Sequence, residues 1–353
     1  ADVVVVGAGI CGAAAAFFLQ ERGHDVLLLE RGKVSGGSTG LGEGNVLVSD
    51  KRPGPERELA VQGRELWLEL GQRFPAARVT RKGALVLEHP DGDDAGDREP
   101  ALAPGVRALW DEGDLQVDPA ALTRALAAEV PTREGAEVAA AGDGAVVMSD
   151  GERIDCRHVV VATGAWAGEL AGLPVEPRKG QLVALAAPPG FIRHKLFEFG
   201  YVEAAAGGSA ELAVAAVIEQ TLDGDEVLVG SSRERVGFDA TVRDEVTQAM
   251  LQRAQRFVPG LSGLRVQRAW AGLRPWLPDG LPAIGRVADA VWTSTGHEGS
   301  GVGLGPISGL LLAEAISGAE SRFDLSPFDP RRFGVRPPRR RRPRRRPWRS
   351  PPR

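Results

Sequence analysis

Three glycines set the first chemical expectation. Gly7, Gly9 and Gly12 stand at G-x-G-x-x-G spacing, behind the β-branched run Val3 to Val6 and ahead of an alanine-rich stretch over residues 13–22. The apolar run suits a strand buried on both faces, and the alanines suit a helix that Gly23 stops. Gly7 allows a tight turn, Gly9 removes a side chain so that a pyrophosphate reaches the backbone, and Gly12 lets helix and strand pack closely. The helix N-terminus offers free N–H groups and a positive dipole end to the phosphates. Glu30 ends a second apolar run over residues 26–29, where a carboxylate accepts hydrogen bonds from ribose hydroxyls. Strand, glycine turn, helix and terminal acid in this order specify a dinucleotide site rather than a merely structural βαβ unit.

Two more glycine turns follow apolar runs. Residues 158–166 (HVVVATGAW) read as a buried strand entering a small-residue turn, and residues 291–306 as a strand, a glycine loop and a helix over about residues 307–316. The second of these gives another helix N-terminus suited to negative charge. Residues 31–45, with six glycines among hydroxyl side chains, read as a loop that exposes its backbone directly after the ribose-binding strand end. Residues 270–286, crowded with proline and glycine, read as a rigid loop without regular structure.

Other elements must position these turns. Leu59, Leu66, Trp67 and Leu70 have helical spacing within residues 56–73, and Asp118 with Pro119 starts a helix that runs to about Val130. Residues 83–88 are a strand candidate and residues 89–99 a loop. Residues 138–148 and 153–161 read as strands joined by a turn at Asp150-Gly151. Short β-like runs at residues 181–185, 211–217 and 226–230 predict an antiparallel sheet in a separate substrate domain, interrupted by a helix over about residues 244–256.

Composition narrows the function classes. Residues 335–353 hold ten arginines and no acid; without them, 33 Lys and Arg face 47 Asp and Glu. So acidic a body does not fit a nucleic-acid-binding surface. The Pro/Arg tail has little to bury and reads as disordered, with a nucleic-acid or acidic-surface contact as its functional alternative. Cys11 and Cys156 form no metal-ligand or C-x-x-C pattern, so neither a disulfide framework nor a metal site is expected. No uninterrupted apolar stretch of bilayer length is evident, and the first strand leaves no room ahead of it for a signal peptide, so the cytoplasm is the expected location.

Taken in order, the motifs resemble those of the FAD-dependent amine and amino-acid oxidoreductases, the DAO-like family of glycine oxidase, sarcosine oxidase and D-amino-acid oxidase/dehydrogenase. The carriers are Gly7-Ala-Gly-Ile-Cys-Gly12 with Glu30, the Ser38-Thr39 and Gly44-Asn45 loop, Asp118-Pro119, Ala162-Thr-Gly-Ala-Trp166, Gly272-Leu-Arg-Pro275, Asp279-Gly-Leu-Pro-Ala-Ile-Gly285 and Gly296-His-Glu-Gly-Ser-Gly301. The likeness covers about residues 2–325. It implies an α/β fold in which a Rossmann-like FAD-binding domain of the glutathione-reductase type is assembled from residues 1–77, 113–172 and 269–330. An antiparallel β-sheet substrate domain would come from residues 78–112 and 173–268.

The resemblance also implies noncovalent FAD, in agreement with the lack of cysteine across residues 272–301. The implied cofactor-binding residues are Gly7, Gly9, Gly12, Glu30, Arg31, Ser38, Thr39, Gly44, Asn45, Thr163, Gly164, Trp166, Gly272, Gly296, Gly299, Ser300, Gly301 and Val302. The implied reaction oxidises the C–N bond of a small amino or imino acid, with a hydride passing from Cα to flavin N5 and the imine then hydrolysed. Arg274 would pair with the substrate carboxylate, for which a guanidinium fork is matched, or else brace its loop. His297 and Glu298 would line the substrate site, with Glu298 near the amine, or orient the flavin loop. Tyr201, the only tyrosine, is a further candidate to cover the substrate. The last glycine motif looks most like the dehydrogenase branch, which acts on opines, hydroxyproline and similar secondary amines. That branch keeps open an FAD-binding subunit that needs an electron-accepting partner.

Overall fold

The computed structural model describes residues 1–142, 144–201 and 211–334. The arginine-rich tail expected to be disordered, residues 335–353, lies outside the described residues. Two large sheets organise the chain. The first has six strands in the order Ala283–Arg286, Val291–Thr295, His158–Val161, Val3–Val6, Val26–Glu30, Thr132–Glu134, and is parallel except at Ala283–Arg286. Val3 to Val6 are buried on both faces, as an all-apolar run requires at the centre of a parallel sheet.

The first helix, Ile10–Glu21, begins three residues before the expected start, directly at the glycine turn, and ends ahead of Gly23, whose φ is +84°. Its four alanines, Ala13 to Ala16, are fully buried. The last helix, Gly301–Ile316, packs against it. Gly305 and Gly309 stand one turn apart and let the backbones approach: a Cβ on Gly309 would lie 2.6 Å from the Ala15 nitrogen.

The last helix starts at Gly301, six residues before the expected 307, because Pro306 does not end it. Pro306 has no N–H for the Val302 carbonyl four residues earlier. The Trp67 indole, from the helix Pro55–Arg73, donates to that oxygen at 2.9 Å instead. Residues 298–316 are also long and apolar enough to cross a bilayer, contrary to the reading of the sequence. Two-thirds of that segment is buried inside the protein, so core packing accounts for its apolar character.

The second sheet has eight strands in the order Val266–Trp276, Glu176–Ala186, Glu226–Arg233, Ala213–Gln220, Lys195–Glu198, Ala84–Leu87, Arg107–Asp111, Asp93–Asp94. It is antiparallel apart from the pairing of Lys195–Glu198 with Ala84–Leu87. The helix Asp244–Gln255 covers it through Met250 and Ala254.

Three local expectations change. The irregular loop expected over residues 270–286 is regular at both ends: residues 270–276 complete the eleven-residue edge strand Val266–Trp276, where Pro275 removes no ladder bond the sheet needs, and Ala283–Arg286 form the edge strand of the first sheet. The domain boundary expected at 268/269 falls inside the strand Val266–Trp276. The run 138–148 breaks into a hairpin at Gly142 and Gly144, both at positive φ, and 153–161 breaks after Asp155. Residues 38–41 form a helical turn inside the glycine-rich loop. The Asp118 cap holds as expected, accepting from the Ala121 nitrogen at 2.8 Å.

Candidate active site

A cavity of about 840 Å³ runs between the two sheets. Its nucleotide-like end is built from the glycine turns. A Cβ on Gly7 would lie 2.5 Å from the Ala162 oxygen, and one on Gly12 would lie 1.8 Å from the Gly7 oxygen, so neither position admits a side chain. Gly9 is different: only Thr39 Oγ1, at 3.3 Å, stands near its missing Cβ, and the residue faces the cavity. The side chain of neither N-cap residue, Gly9 or Ser300, bonds its helix; the Ile10 nitrogen donates instead to Thr39 Oγ1 at 3.1 Å, and the Ser300 nitrogen to the His297 oxygen at 2.8 Å. Both helices point their positive dipole ends at the cavity, where they favour an anion.

Glu30 reaches the same cavity, its carboxylate fixed by the Ala8 nitrogen at 2.9 Å and the Gly32 nitrogen at 2.8 Å. The Arg31 guanidinium lies 4.0 Å over the Trp166 ring. Thr163 lines the cavity with its hydroxyl buried and lacking a hydrogen-bond partner among the described residues. Ser38 Oγ donates to the Leu273 oxygen at 2.6 Å and Trp270 donates to the Leu41 oxygen at 2.7 Å, so the glycine-rich loop is pinned to the strand that carries Arg274.

Most of the expected cofactor residues line this one cavity: Gly7, Gly9, Glu30, Arg31, Ser38, Thr39, Asn45, Thr163, Gly164, Trp166, Gly272, Gly299, Ser300, Gly301 and Val302. Gly12, Gly44 and Gly296 do not. Gly12 lies behind Gly7, Gly44 against the Val117 oxygen and Gly296 under Leu277, so each permits a close approach rather than a contact with the cavity. Asn45 lines the cavity, but its amide joins Glu43 of its own loop and Glu219 on the far sheet. An open wall at Gly9, two helix N-termini facing the cavity and an orphaned hydroxyl at Thr163 fit a dinucleotide of the size of FAD.

Arg274 meets the cavity from the second sheet. Its Nη1 donates to the Ser232 oxygen at 2.9 Å and its Nη2 to Ser231 Oγ at 3.0 Å. Sheet register holds it in place, through the pairing of Val266–Trp276 with Glu176–Ala186. Gly180 clears the space, since a Cβ there would lie 2.2 Å from Arg274 Nη1. Arg178 is the direct cross-strand partner of Arg274, an arrangement of like charges that costs stability unless a counter-charge stands between them.

Glu298 supplies it. Its carboxylate accepts from Arg233 Nε at 3.1 Å and lies 3.8 Å from Arg178 Nη1, on a backbone at φ +46°. Burial pushes the Glu298 carboxyl up, but the guanidinia of Arg233, Arg274 and Arg178 outweigh it and hold the group at about 2. Burial also pushes the Arg178 guanidinium down to about 10, opposed by Glu298 and reinforced by Arg233 and Arg274. Tyr201 lines the cavity beside this group, with Arg233 Cζ 4.1 Å over its ring.

His297 is 3% exposed and stands between Ser308 and Cys11. Ser308 Oγ gives its own proton to the Leu304 oxygen at 2.7 Å, so it accepts from His297 Nε2 at 3.0 Å. That assignment leaves Nδ1 unprotonated toward the Cys11 sulfur, 3.7 Å away. Burial lowers the imidazole to about 4, so it is neutral near pH 7. Burial raises the Cys11 thiol to about 12, which makes it a poor nucleophile despite its place in the cavity wall.

Arg178 and Arg233 escaped the reading of the sequence. A signal was present: each is a charge at the end of an otherwise buried strand, a position surface residues rarely occupy.

Fold and site together define a flavoprotein, a chain that cradles a dinucleotide between a parallel sheet and a substrate-facing antiparallel one. Residues 2–315 match the family profile described as FAD dependent oxidoreductase, DAO, and the chain belongs to that family. It is therefore an FAD-dependent oxidoreductase. The chain is similar to the glycine oxidase of Pseudomonas aeruginosa, 30% identical over 375 aligned positions that cover 93% of this chain and 98% of that protein. The crystal structure of glycine oxidase from Geobacillus kaustophilus superposes with a TM-score of 0.81 at 28% identity, covering 93% of this chain and 97% of the other. The hydrogen cyanide synthase subunit HcnC of Pseudomonas aeruginosa is 30% identical over 243 positions, covering 64% of this chain and 54% of that one.

Proposed function

We propose that this protein oxidises the C–N bond of a small amino or imino acid whose carboxylate is held by Arg274. The observation that supports this most directly is one continuous cavity with the dinucleotide cradle at one end and an anchored guanidinium at the other. Residues 1–77, 113–172 and 269–330 would make up most of the cofactor side, with Glu30 at the ribose and Gly9 and the first helix at the phosphates. FAD, when bound, supplies the two-electron acceptor for the hydride that leaves the substrate Cα.

The chain's own residues provide position and field. The Arg274 fork neutralises the carboxylate and fixes the direction of the neighbouring C–H bond. Ser231 and Ser232 fix the fork in turn. The positive dipole end of the last helix, which starts at Gly301, stabilises negative charge that develops beside it. Glu298 is committed to the guanidinia, and neutral His297 braces the loop against the last helix; neither is assigned proton transfer. The substrate loses its ammonium proton to solvent before oxidation, and the product imine hydrolyses in water. Both cysteines are free thiols, consistent with a reducing cytoplasm.

A second reading is favoured by the similarity to HcnC, a protein named as a synthase subunit. In it the chain passes electrons to a partner subunit rather than to oxygen. One experiment tests both. The FAD-loaded protein is mixed anaerobically with amino and imino acids and with the matching amines that lack a carboxylate. Bleaching by the acids and not by the amines is expected; bleaching by neither sinks the proposal. Admitting air then separates the readings, since fast recolouring means an oxidase and persistent bleaching means a partner is required.

A further inference from the structure

A second charged cluster borders the same cavity. Glu43, Asn45 and Lys195 all face it. Lys195 is 2% exposed and donates from Nζ to Glu43 Oε2 at 3.0 Å; it lies 3.7 Å from Oε2 of Glu219, itself 1% exposed. The Asn45 amide divides its donors between Glu43 Oε2 at 3.1 Å and Glu219 Oε1 at 3.3 Å. The nearby Lys82 donates elsewhere, to Gln116 Oε1 at 2.9 Å and the Gln220 oxygen at 2.6 Å. Three buried oxygens are left without a hydrogen-bond donor among the described residues: Glu43 Oε1, Asn45 Oδ1 and Glu219 Oε2. All three are acceptors, two from the loop that ends at Asn45 and one from the strand Ala213–Gln220. A buried acceptor with no donor is costly, and three together call for an N–H-bearing group.

The charges agree. Two carboxylates share one close ammonium, and burial with the Glu43 charge pushes Glu219 upward against the pull of Lys195. The Arg274 group has the opposite excess, with three guanidinia around one carboxylate. The two groups flank one peptide. Glu43 Oε1 lies 3.8 Å from where a Cβ on Gly230 would stand, and the hydroxyl of the next residue, Ser231, holds Arg274. A small ligand that is negative at one end and positive at the other matches both.

We propose that Glu43 and Asn45, with the charge of Glu219 behind them, form a side-chain subsite that binds the distal ammonium of an amino or imino acid whose carboxylate is held at Arg274. This rests on the amino-acid reading above and narrows it to substrates with a basic arm.

Two measurements on the FAD-loaded full chain test it. Anaerobic flavin reduction by both enantiomers of lysine is compared with reduction by both enantiomers of norleucine, which has the same arm without the charge. Binding of 6-aminohexanoate is compared with binding of hexanoate by calorimetry, which needs no turnover. A preference of about tenfold or more for the ammonium is expected in each, from hydrogen bonds to a charged group. Glu43→Gln and Glu219→Gln should reduce that preference, each variant first checked for native flavin content. If norleucine bleaches the flavin as well as lysine does, water fills the subsite and this inference falls while the amino-acid reading stands. If no amino acid bleaches it, both fall. A preference that survives both substitutions also overturns the subsite.

Discussion

The two sides of the cavity recognise their ligands by different means. The parallel sheet works through backbone: Gly7 and Gly12 remove side chains, Gly9 opens a wall, and two helices turn their N-termini to the cavity. The antiparallel sheet works through side chains, with Arg178, Arg233 and Arg274 on three adjacent strands and Glu298 reaching in from the last glycine loop. A backbone cradle is specified by residues close in sequence, because one turn fixes its geometry. A charge cluster depends on register between strands far apart, and each buried charge requires the others.

That contrast can be broken by experiment. Gly12→Val should have the largest effect, because its Cβ would stand 1.8 Å from the Gly7 oxygen. Overpacking of about 1–3 kcal/mol or more and loss of bound flavin are expected, read from thermal unfolding and the visible spectrum. A valine variant that keeps its flavin would show that the glycine spacing is not what builds the cradle.

On the other sheet, Arg274→Ala should raise KM for carboxylate substrates roughly 100-fold, from loss of charge-assisted hydrogen bonds. Its flavin content should be unchanged, and an unaltered KM would remove Arg274 from recognition.

Acid should separate the charge cluster from the cradle. Glu298 is held at about 2 against an ordinary 4.5, so the stability it contributes is present above pH 4.5 and is lost as pH falls toward 2. His297 is lowered from 6.5 to about 4, so its contribution is present above pH 6.5 and is lost as pH falls toward 4. Each shift corresponds to about 3 kcal/mol. Unfolding free energies across pH should therefore fall in two acid steps. His297→Gln should remove the upper step and Glu298→Gln the lower one, and a profile unchanged by either variant would contradict these assignments.

The smallest effect is expected at Trp67→Phe, which leaves the Val302 carbonyl without the donor that replaces the Pro306 N–H. A loss of about 1–2 kcal/mol in urea unfolding, with KM unchanged, is expected.

The same contrast explains what could be read from the chain. Val3 to Val6, the three glycines and Glu30 lie within one βαβ unit, so hydrophobic period and glycine spacing were enough to locate the dinucleotide end, while the family was reached through the resemblance of the ordered motifs. The Asp118 cap and the helix after Gly54 were legible for the same local reason. Residues 270–276 were not, because proline and glycine argue for a loop until a neighbouring strand supplies the ladder. The start of the last helix was misjudged because the group that makes Pro306 tolerable, Trp67, is more than 200 residues away in sequence.

By itself, then, the sequence determined a flavin-type dinucleotide fold and offered Arg274 as the candidate to meet a carboxylate. Only the tertiary structure decided that Arg178 and Arg233 join it, that Glu298 is bound to these guanidinia and that Asn45 turns toward Glu43 and Glu219. Backbone geometry is set by neighbours along the chain. The balance of buried charge is set by neighbours in space, and no spacing of residues in one strand reveals what stands opposite it.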